Sequence, residues 1–342
     1  MSTLLLPRLA RSQLANLCSS TSSRKASPTL ESIPRRLAAA SHQSPLLQSR
    51  LTQLSESKGP LTAKPVRKLS SPSQALVTRA LRTQVETSPS KNMSLRLIPN
   101  KGLYVSTPTW WLESRFHFSF AEHYDPKRTD FGVLRVLNDD LVQPHSGFGT
   151  HPHRDMEIFT YVVNGELWHK DSMGMAESLP RGSAQYLSAG TGITHSEMNN
   201  GDKLLRFLQI WIKPDARGYK PNYGSRQFPS KEVRHNQLQQ LLTSYKRAAS
   251  EEDTGSGVIP IHQDANIYVS EADPGVKQEF TLEKGRQAYL VCIEGALSVN
   301  GTDMEERDAL EAVAPKTDAL PLNLEADAQK GAHFLMIEMA QP

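Results

Sequence analysis

From residue 103 onward, hydrophobic and polar positions alternate in short runs separated by turn residues. Arg115-Phe116-His117-Phe118-Ser119-Phe120 repeats with a period of two, the pattern of a strand with one buried face. Phe131–Leu137 predicts another strand, followed by a loop through Pro144 and Gly147-Phe148-Gly149. Glu157–Val163 and Glu166–Asp171 flank Asn164-Gly165, a dipeptide that accepts two positive φ angles and so predicts a tight hairpin. Pro180-Arg181-Gly182 marks a turn, Ala184–Leu187 a strand, and Leu204–Ile212 a strand closed by Pro214. Asn236–Leu242 is the best helical stretch of the body. Strand-like runs resume at Ile267–Ser270, Glu279–Leu282, Ala288–Ile293, Leu297–Val299 and His333–Met339, and Glu294-Gly295 with Asn300-Gly301 repeats the earlier turn pattern. Many short strands with little helix predict an all-β sandwich or barrel. The echo between halves predicts two related β-barrel domains, 97–225 and 232–341.

The first 92 residues differ in kind. They contain 18 serines and hardly a large aromatic, too little apolar surface to offset chain entropy, and predict a disordered extension. Charge divides at the same place: residues 1–92 hold 14 Lys/Arg and 3 acids, a net of 14 − 3 = +11, and residues 93–342 hold 25 Lys/Arg and 33 acids, 25 − 33 = −8. An acidic body argues against direct nucleic-acid binding, which needs clustered Lys/Arg against phosphate. The acid-free start, with Leu6, Leu9, Leu14 and Leu17 on one side of a possible helix and Arg8 and Arg11 elsewhere, suggests a mitochondrial transit peptide. A cytoplasmic or nuclear location, or an overextended reading frame upstream of Met93, is the alternative. The apolar run Leu4–Leu6 is too short for a secretory signal, and nothing approaches a transmembrane span. Cys18 and Cys292 are the two cysteines, which fits a reducing compartment; Cys292, within Tyr289–Ile293, reads as a core residue.

Two clusters carry the candidate chemistry. His151-Pro152-His153-Arg154-Asp155-Met156-Glu157 is answered by Gly190-Thr191-Gly192-Ile193-Thr194-His195-Ser196-Glu197. Alternate strand residues share a face, so His151, His153, Asp155 and Glu157 point one way if the strand is regular, as do His195 and Glu197. Two such sets on adjacent inward-facing strands would surround one point with N and O ligands. Imidazole plus carboxylate with open positions suits Fe(II), Ni(II), Cu(II) or Mn(II). His262 and His333 stand alone, so no second metal is expected in the C-terminal half. His117, His123, His145, His169 and His235 read as surface, loop or supporting groups, with His145 and His169 kept as outside candidates.

These motifs resemble the two signature motifs of the cupin superfamily. With Phe131–Asp140, Gly147–His153, Asp171-Ser172-Met173-Gly174 and Ser188–Glu197, the chain over 94–342 resembles the pirin family, and most closely the bacterial pirins with quercetinase activity. The resemblance implies a bicupin, two double-stranded β-helix barrels, with one metal in the first barrel and none in the second. It implies His151, His153, His195 and Glu197 as ligands, whereas the general cupin pattern would nominate Glu157. The leading glycine of that pattern is displaced here and the spacing from Glu157 to Gly165 is one residue longer than usual, which disfavours Glu157. The implied activity is an iron(II)-dependent dioxygenase, with nickel, copper or manganese as other metals. Its substrates would be a flavonol such as quercetin and O2, with Glu197 as proton acceptor. The rival implication is a non-enzymatic, redox-sensitive transcription cofactor that acts on a protein partner. A metal-binding stress protein is a third.

Overall fold

The structure, a computed structural model, describes residues 94–227, 234–248 and 257–342. The expected extension over 1–92, its transit-peptide reading and Cys18 lie outside the described residues. The strands run in order β1 (Leu95–Ile98), β2 (Tyr104–Thr109), β3 (Leu112–Phe116), β4 (Leu134–Val142), β5 (Ser146–His153), β6 (Glu157–Asn164) and β7 (Glu166–Asp171). Then come β8 (Ala176–Pro180), β9 (Ala184–Ser188), β10 (Ile193–Asn199), β11 (Leu205–Ile212), β12 (Asn222–Arg226), β13 (Gln239–Ser244) and β14 (Ile259–Ile261). Finally there are β15 (Ala265–Ala272), β16 (Lys277–Leu282), β17 (Arg286–Val299), β18 (Thr302–Glu305), β19 (Ala309–Val313), β20 (Leu320–Ala326) and β21 (Ala332–Ala340). Among the described residues no helix is long and apolar enough to cross a membrane.

The protein is nearly all β, in two barrels. In the first, the seven-stranded sheet β12-β9-β6-β11-β4-β3-β2 faces the four-stranded sheet β5-β10-β7-β8. Val162 and Phe207 of one meet Leu167 and Leu179 of the other in its interior. The second barrel is built on β1-β19-β17-β21-β15-β13-β14, with β16, β18 and β20 continuing from β17. The chain enters through the second barrel: β1 pairs antiparallel with β19, from Leu95↔Ala312 to Ile98↔Ala309.

Alternation along β11 and β17 explains how the barrels join. On β11, Leu208, Ile210 and Ile212 pack outward into a core shared with the second barrel, while Phe207 points into the first. On β17, Tyr289, Val291 and Ile293 join that shared core, and Ala288, Leu290 and Cys292 point into the second barrel. A strand buried on both faces reads as an unbroken apolar run, which is how both segments look in the sequence. Polar groups tie the seam as well. Arg206 donates to both carboxylate oxygens of Asp139 at 2.9 and 2.8 Å and to the carbonyl of Ile293 at 2.9 Å. Arg181 meets Glu294 at 2.6 Å, and the Tyr161 hydroxyl lies 3.0 Å from His333 Nε2.

Two expected elements take other forms. Asn236–Leu242 is not a helix: Gln239–Ser244 forms β13, antiparallel to β15 and parallel to β14, and one helical turn follows at Tyr245–Ala248. Gln and Leu have good helix propensity, but an irregularity in register between Gln240 and Leu242 lets adjacent Leu241 and Leu242 both reach the shared core. Tertiary burial overrides local preference. Asn164-Gly165 is not a hairpin turn either, because β6 and β7 belong to different sheets. Only Gly165 of that pair has positive φ, 81°, and a Cβ there would stand 2.8 Å from the Leu204 carbonyl oxygen. The chain turns a corner between sheets at this point. Gly295, φ 79°, lies at the matching corner within β17, and the two-residue hairpin is found instead at Asn300-Gly301, φ 49° and 80°, between Val299 and Thr302.

His117 gives the fold a pH dependence. It is buried with Nδ1 2.9 Å from the Tyr289 hydroxyl, and burial, helped by the nearby Arg128 charge, pushes its pKa down to about 3. In the unfolded chain a histidine titrates near ~6.5. Only the unfolded state therefore takes up this proton between those values. The neutral-histidine contribution is fully present above about pH 6.5 and is lost as pH falls toward the folded value, by roughly 3 kcal/mol near pH ~4.5. Denaturant midpoints should drop from pH 7 to pH 4, with a shallower fall for His117→Gln. An unchanged slope in the variant would assign the loss to other groups.

Candidate metal centre

His151 and His153 end β5, and His195 lies on β10, its antiparallel neighbour. The register pairs His195 with His151 and Ile193 with His153, so the two clusters face each other inside the first barrel. The ring centroids are 4.8, 4.6 and 4.9 Å apart, and one ligand atom from each residue lies within 4.8 Å of the others. The approach to β10 requires glycine. Gly190 has φ 40°, and a Cβ there would collide with the Tyr219 carbonyl oxygen.

The chemistry of these donors fits a metal. His151 Nδ1 is 2.7 Å from the Gly149 carbonyl oxygen, which can only accept, so the proton resides on Nδ1 and Nε2 keeps its lone pair. Both ring nitrogens of His195 are buried with no hydrogen-bond partner among the described residues, an arrangement costly to maintain unless a ligand engages one. Burial holds all three imidazoles below their ordinary pKa, His153 to about 3, with the neighbouring histidines opposing a charge on His153 and His195. The neutral form that burial enforces is the form that binds metal.

The parity reading breaks after His153. β5 ends there, Asp155 turns with φ 48°, and its carboxylate accepts from the Gly218 backbone N–H at 2.8 Å. Glu157 starts β6 and is buried elsewhere, accepting from Tyr186 at 2.5 Å and Ser188 at 2.8 Å. Asp155 and Glu157 are therefore not beside the histidines. Glu197 shares the barrel interior with His195, but a register irregularity separates them: His195 pairs with His151 and Glu197 with Phe148. The converging group of ligand atoms comprises the three histidines. The Glu197 carboxylate accepts from Thr160 at 3.2 Å, from Gln209 at 2.8 Å and from Gln185. Burial raises its pKa to about 7 against the lowering by these three donors. Of the outside candidates, His145 is exposed beside Asp202, whereas His169 is buried 3.1 Å from Asp171 with its ring 5.5 Å from that of His195.

A pocket opens beside the histidines. Its lining includes His151, His153, Glu197, Gln209 and Trp211, with Phe116, Phe120 and Phe148 among the apolar groups. The residues sequence reasoning did not single out, Asn138, Asp140, Thr160, Gln185 and Gln209, all lie on the inner face of the seven-stranded sheet around this space. One signal was available. Asn138-Asp139-Asp140 and Gln209 interrupt otherwise apolar strands, and a polar residue buried mid-strand points to a wall that meets something polar.

Residues 101–212 match the Pirin family model, and residues 248–339 match the model described as the quercetinase C-terminal cupin domain. A bacterial pirin from Escherichia coli, solved in complex with nickel(II), superposes with a TM-score of 0.63 at 31% identity, covering 72% of this chain and 100% of that one. The chain belongs to the pirin family. An E. coli relative named quercetin 2,3-dioxygenase is 39% identical over 201 residues, 58% of this chain and 82% of the relative. A Pseudomonas aeruginosa relative, provisionally named a quercetin 2,3-dioxygenase, is 43% identical over 230 residues, 67% of this chain and 93% of its own. In this pirin the three-histidine group lies within the segment matched by the first model.

Proposed function

We propose that this pirin is a metal-dependent dioxygenase that opens the central ring of flavonols, with His151, His153 and His195 as metal ligands and Glu197 as fourth ligand and proton acceptor. The observation that carries it is the group of three neutral imidazoles, two of them lining an aromatic-walled pocket. The names of the E. coli and P. aeruginosa relatives support the substrate class. A divalent metal held there, iron(II) in this reading, would acidify the flavonol hydroxyl and supply the site at which O2 meets the ring. Both oxygen atoms end in the ring-opened ester, and the carbon between the two broken C–C bonds leaves as carbon monoxide.

The chain's own residues divide the remaining work. Phe116, Phe120 and Trp211 offer faces and edges to a flat ring system. A carboxylate has about four lone-pair sites, and three donors on Glu197 leave it capacity to coordinate or to take a phenolic proton. The same donors fix its position, so no reorganisation accompanies transfer. Incubating the metal-loaded chain with quercetin under O2 should release carbon monoxide stoichiometrically with quercetin loss. Metal binding without turnover across a flavonol panel overturns the reading. Glu197→Gln should cut turnover by about 10²-fold or more with a smaller loss of bound metal. Equal losses would remove its proton-accepting role, and full metal binding by Glu197→Ala would remove it from the ligand set.

A further inference from the structure

The inner face of the seven-stranded sheet carries a row of polar side chains. Cross-strand pairing places Gln185 beside Thr160, Thr160 beside Gln209, and Gln209 beside Asn138. The first three are engaged by the Glu197 carboxylate. The fourth is not. Asn138 is 4% exposed and lines the pocket, and its side-chain oxygen has no hydrogen-bond partner among the described residues. An unmade bond at a buried amide is costly, so such a group inside a binding cavity is most simply explained by a ligand that supplies the partner.

Asp140 lies two residues further along β4 and lines the same pocket. It accepts from the Ser114 hydroxyl on β3 and is 3% exposed. Burial raises its pKa to about 8, so near neutral pH it presents mainly a carboxylic acid, able to donate as well as accept. Asp139, between them, points the other way and binds Arg206 at the seam of the barrels. Beside this polar pair, on the neighbouring strands of the same sheet and the loop after β3, is a chain of edge-to-face rings, with Phe116 paired directly to Asn138. Phe116 contacts Phe120 at 5.3 Å, Phe120 contacts Trp211 at 5.4 Å, and Trp211 contacts the ligand candidate His153 at 5.0 Å. The pocket therefore offers an aromatic wall that reaches the histidines and, adjoining it on β4, a pair of hydrogen-bonding groups.

We propose that Asn138 and Asp140 form a hydroxyl-reading subsite that selects planar aromatic substrates carrying a phenolic hydroxyl remote from the oxygen that meets the three histidines. The proposal rests on the flavonol reading above for its substrate class. A phenol both donates and accepts, so either end of the Asn138 amide can engage it. A site whose buried polar groups require a hydroxyl rejects an analogue that lacks one, because the loss leaves those groups unpaired.

The test uses the full chain loaded with nickel(II), without O2, and compares quercetin with 3-hydroxyflavone, which keeps the flavonol oxygens and lacks the remote hydroxyls. Wild type should bind quercetin at least ~10-fold more tightly. Asn138→Leu should shrink that ratio to within ~3-fold, as should Asp140→Leu, while the isosteric Asp140→Asn retains most of it. Near-UV circular dichroism and nickel content identify any variant that has lost its fold, and Asp140→Asn against Asp140→Leu remains decisive if Asn138→Leu is one. An equal weakening toward both flavonols, or a wild-type ratio near unity, overturns the subsite. Carbon monoxide release is read separately with the iron-loaded chain. Hydroxyl preference without turnover would sink the dioxygenase and leave the subsite, turnover with equal ratios in wild type and variants would do the reverse, and failure to bind either flavonol would overturn both.

Discussion

His153→Ala is expected to abolish metal binding, taking bound metal from about one equivalent to near none after dialysis. Each imidazole contributes one neutral nitrogen donor to a cluster whose ligand atoms lie within 4.8 Å. With one removed, two histidines and a carboxylate already held by three donors remain, and water must fill the gap. Even the loss of a group that merely supports a metal ligand typically costs 10–100-fold in affinity, so the loss of a ligand itself should cost more. His153 suits the experiment because it is 7% exposed and its ring meets Trp211 edge-on at 5.0 Å. Removing it opens space at the pocket wall, so a thermal melt must show that the fold persists. Metal retained near wild-type stoichiometry would show that the three-histidine group is not the binding site.

Arg206→Ala should produce the largest loss of stability away from the site, about 3–5 kcal/mol. Arg206 and Asp139 have side chains 8% and 2% exposed, and their bidentate contact lies at the join between the barrels. Deleting the cation leaves a buried carboxylate without its principal partner and leaves the Ile293 carbonyl short of a donor. Arg307, 3.3 Å from Asp139, retains part of the compensation and holds the loss below that of a fully isolated charge. The double variant Asp139→Leu with Arg206→Met should recover much of the deficit, because replacing both partners removes the uncompensated charge. Denaturant unfolding of the four proteins measures this. A single-variant loss under about 1 kcal/mol would show that the pair is solvated in solution.

The three-histidine group was legible in the sequence because its information is local. His-x-His and His-x-Glu fix which side chains share a face over two or three residues, and the glycines before His195 announce a backbone that other residues cannot follow. The same rule failed beyond His153, where the strand ends and Asp155 takes a left-handed conformation. The two-barrel plan was legible from strand spacing and the echo of Glu294-Gly295, but the meaning of Asn164-Gly165 was not. A dipeptide permits a positive φ without saying whether the next strand pairs back or crosses to another sheet. β13 was hidden for a different reason. Leu241 and Leu242 are buried by partners 17 or more residues away, on β14 and β15, and no local propensity carries that information. Asn138, Asp140 and Gln209 looked like interruptions of apolar strands until pairing put them around one space.

The pairing of β1 with β19 sets an order of events during synthesis. Arg96 binds Glu311 across 215 positions, and Leu95 cannot meet Ala312 until all but the last 342 − 312 = 30 residues have been made. The first barrel, complete by Arg226 in sequence, is available to fold from the emerging chain well before that. Of the strands in the described residues, the one that leaves the ribosome earliest is thus among the last to find its place. For most of translation Leu95–Ile98 has no partner edge, and the second barrel closes over its opening strand only once nearly the whole chain has been made.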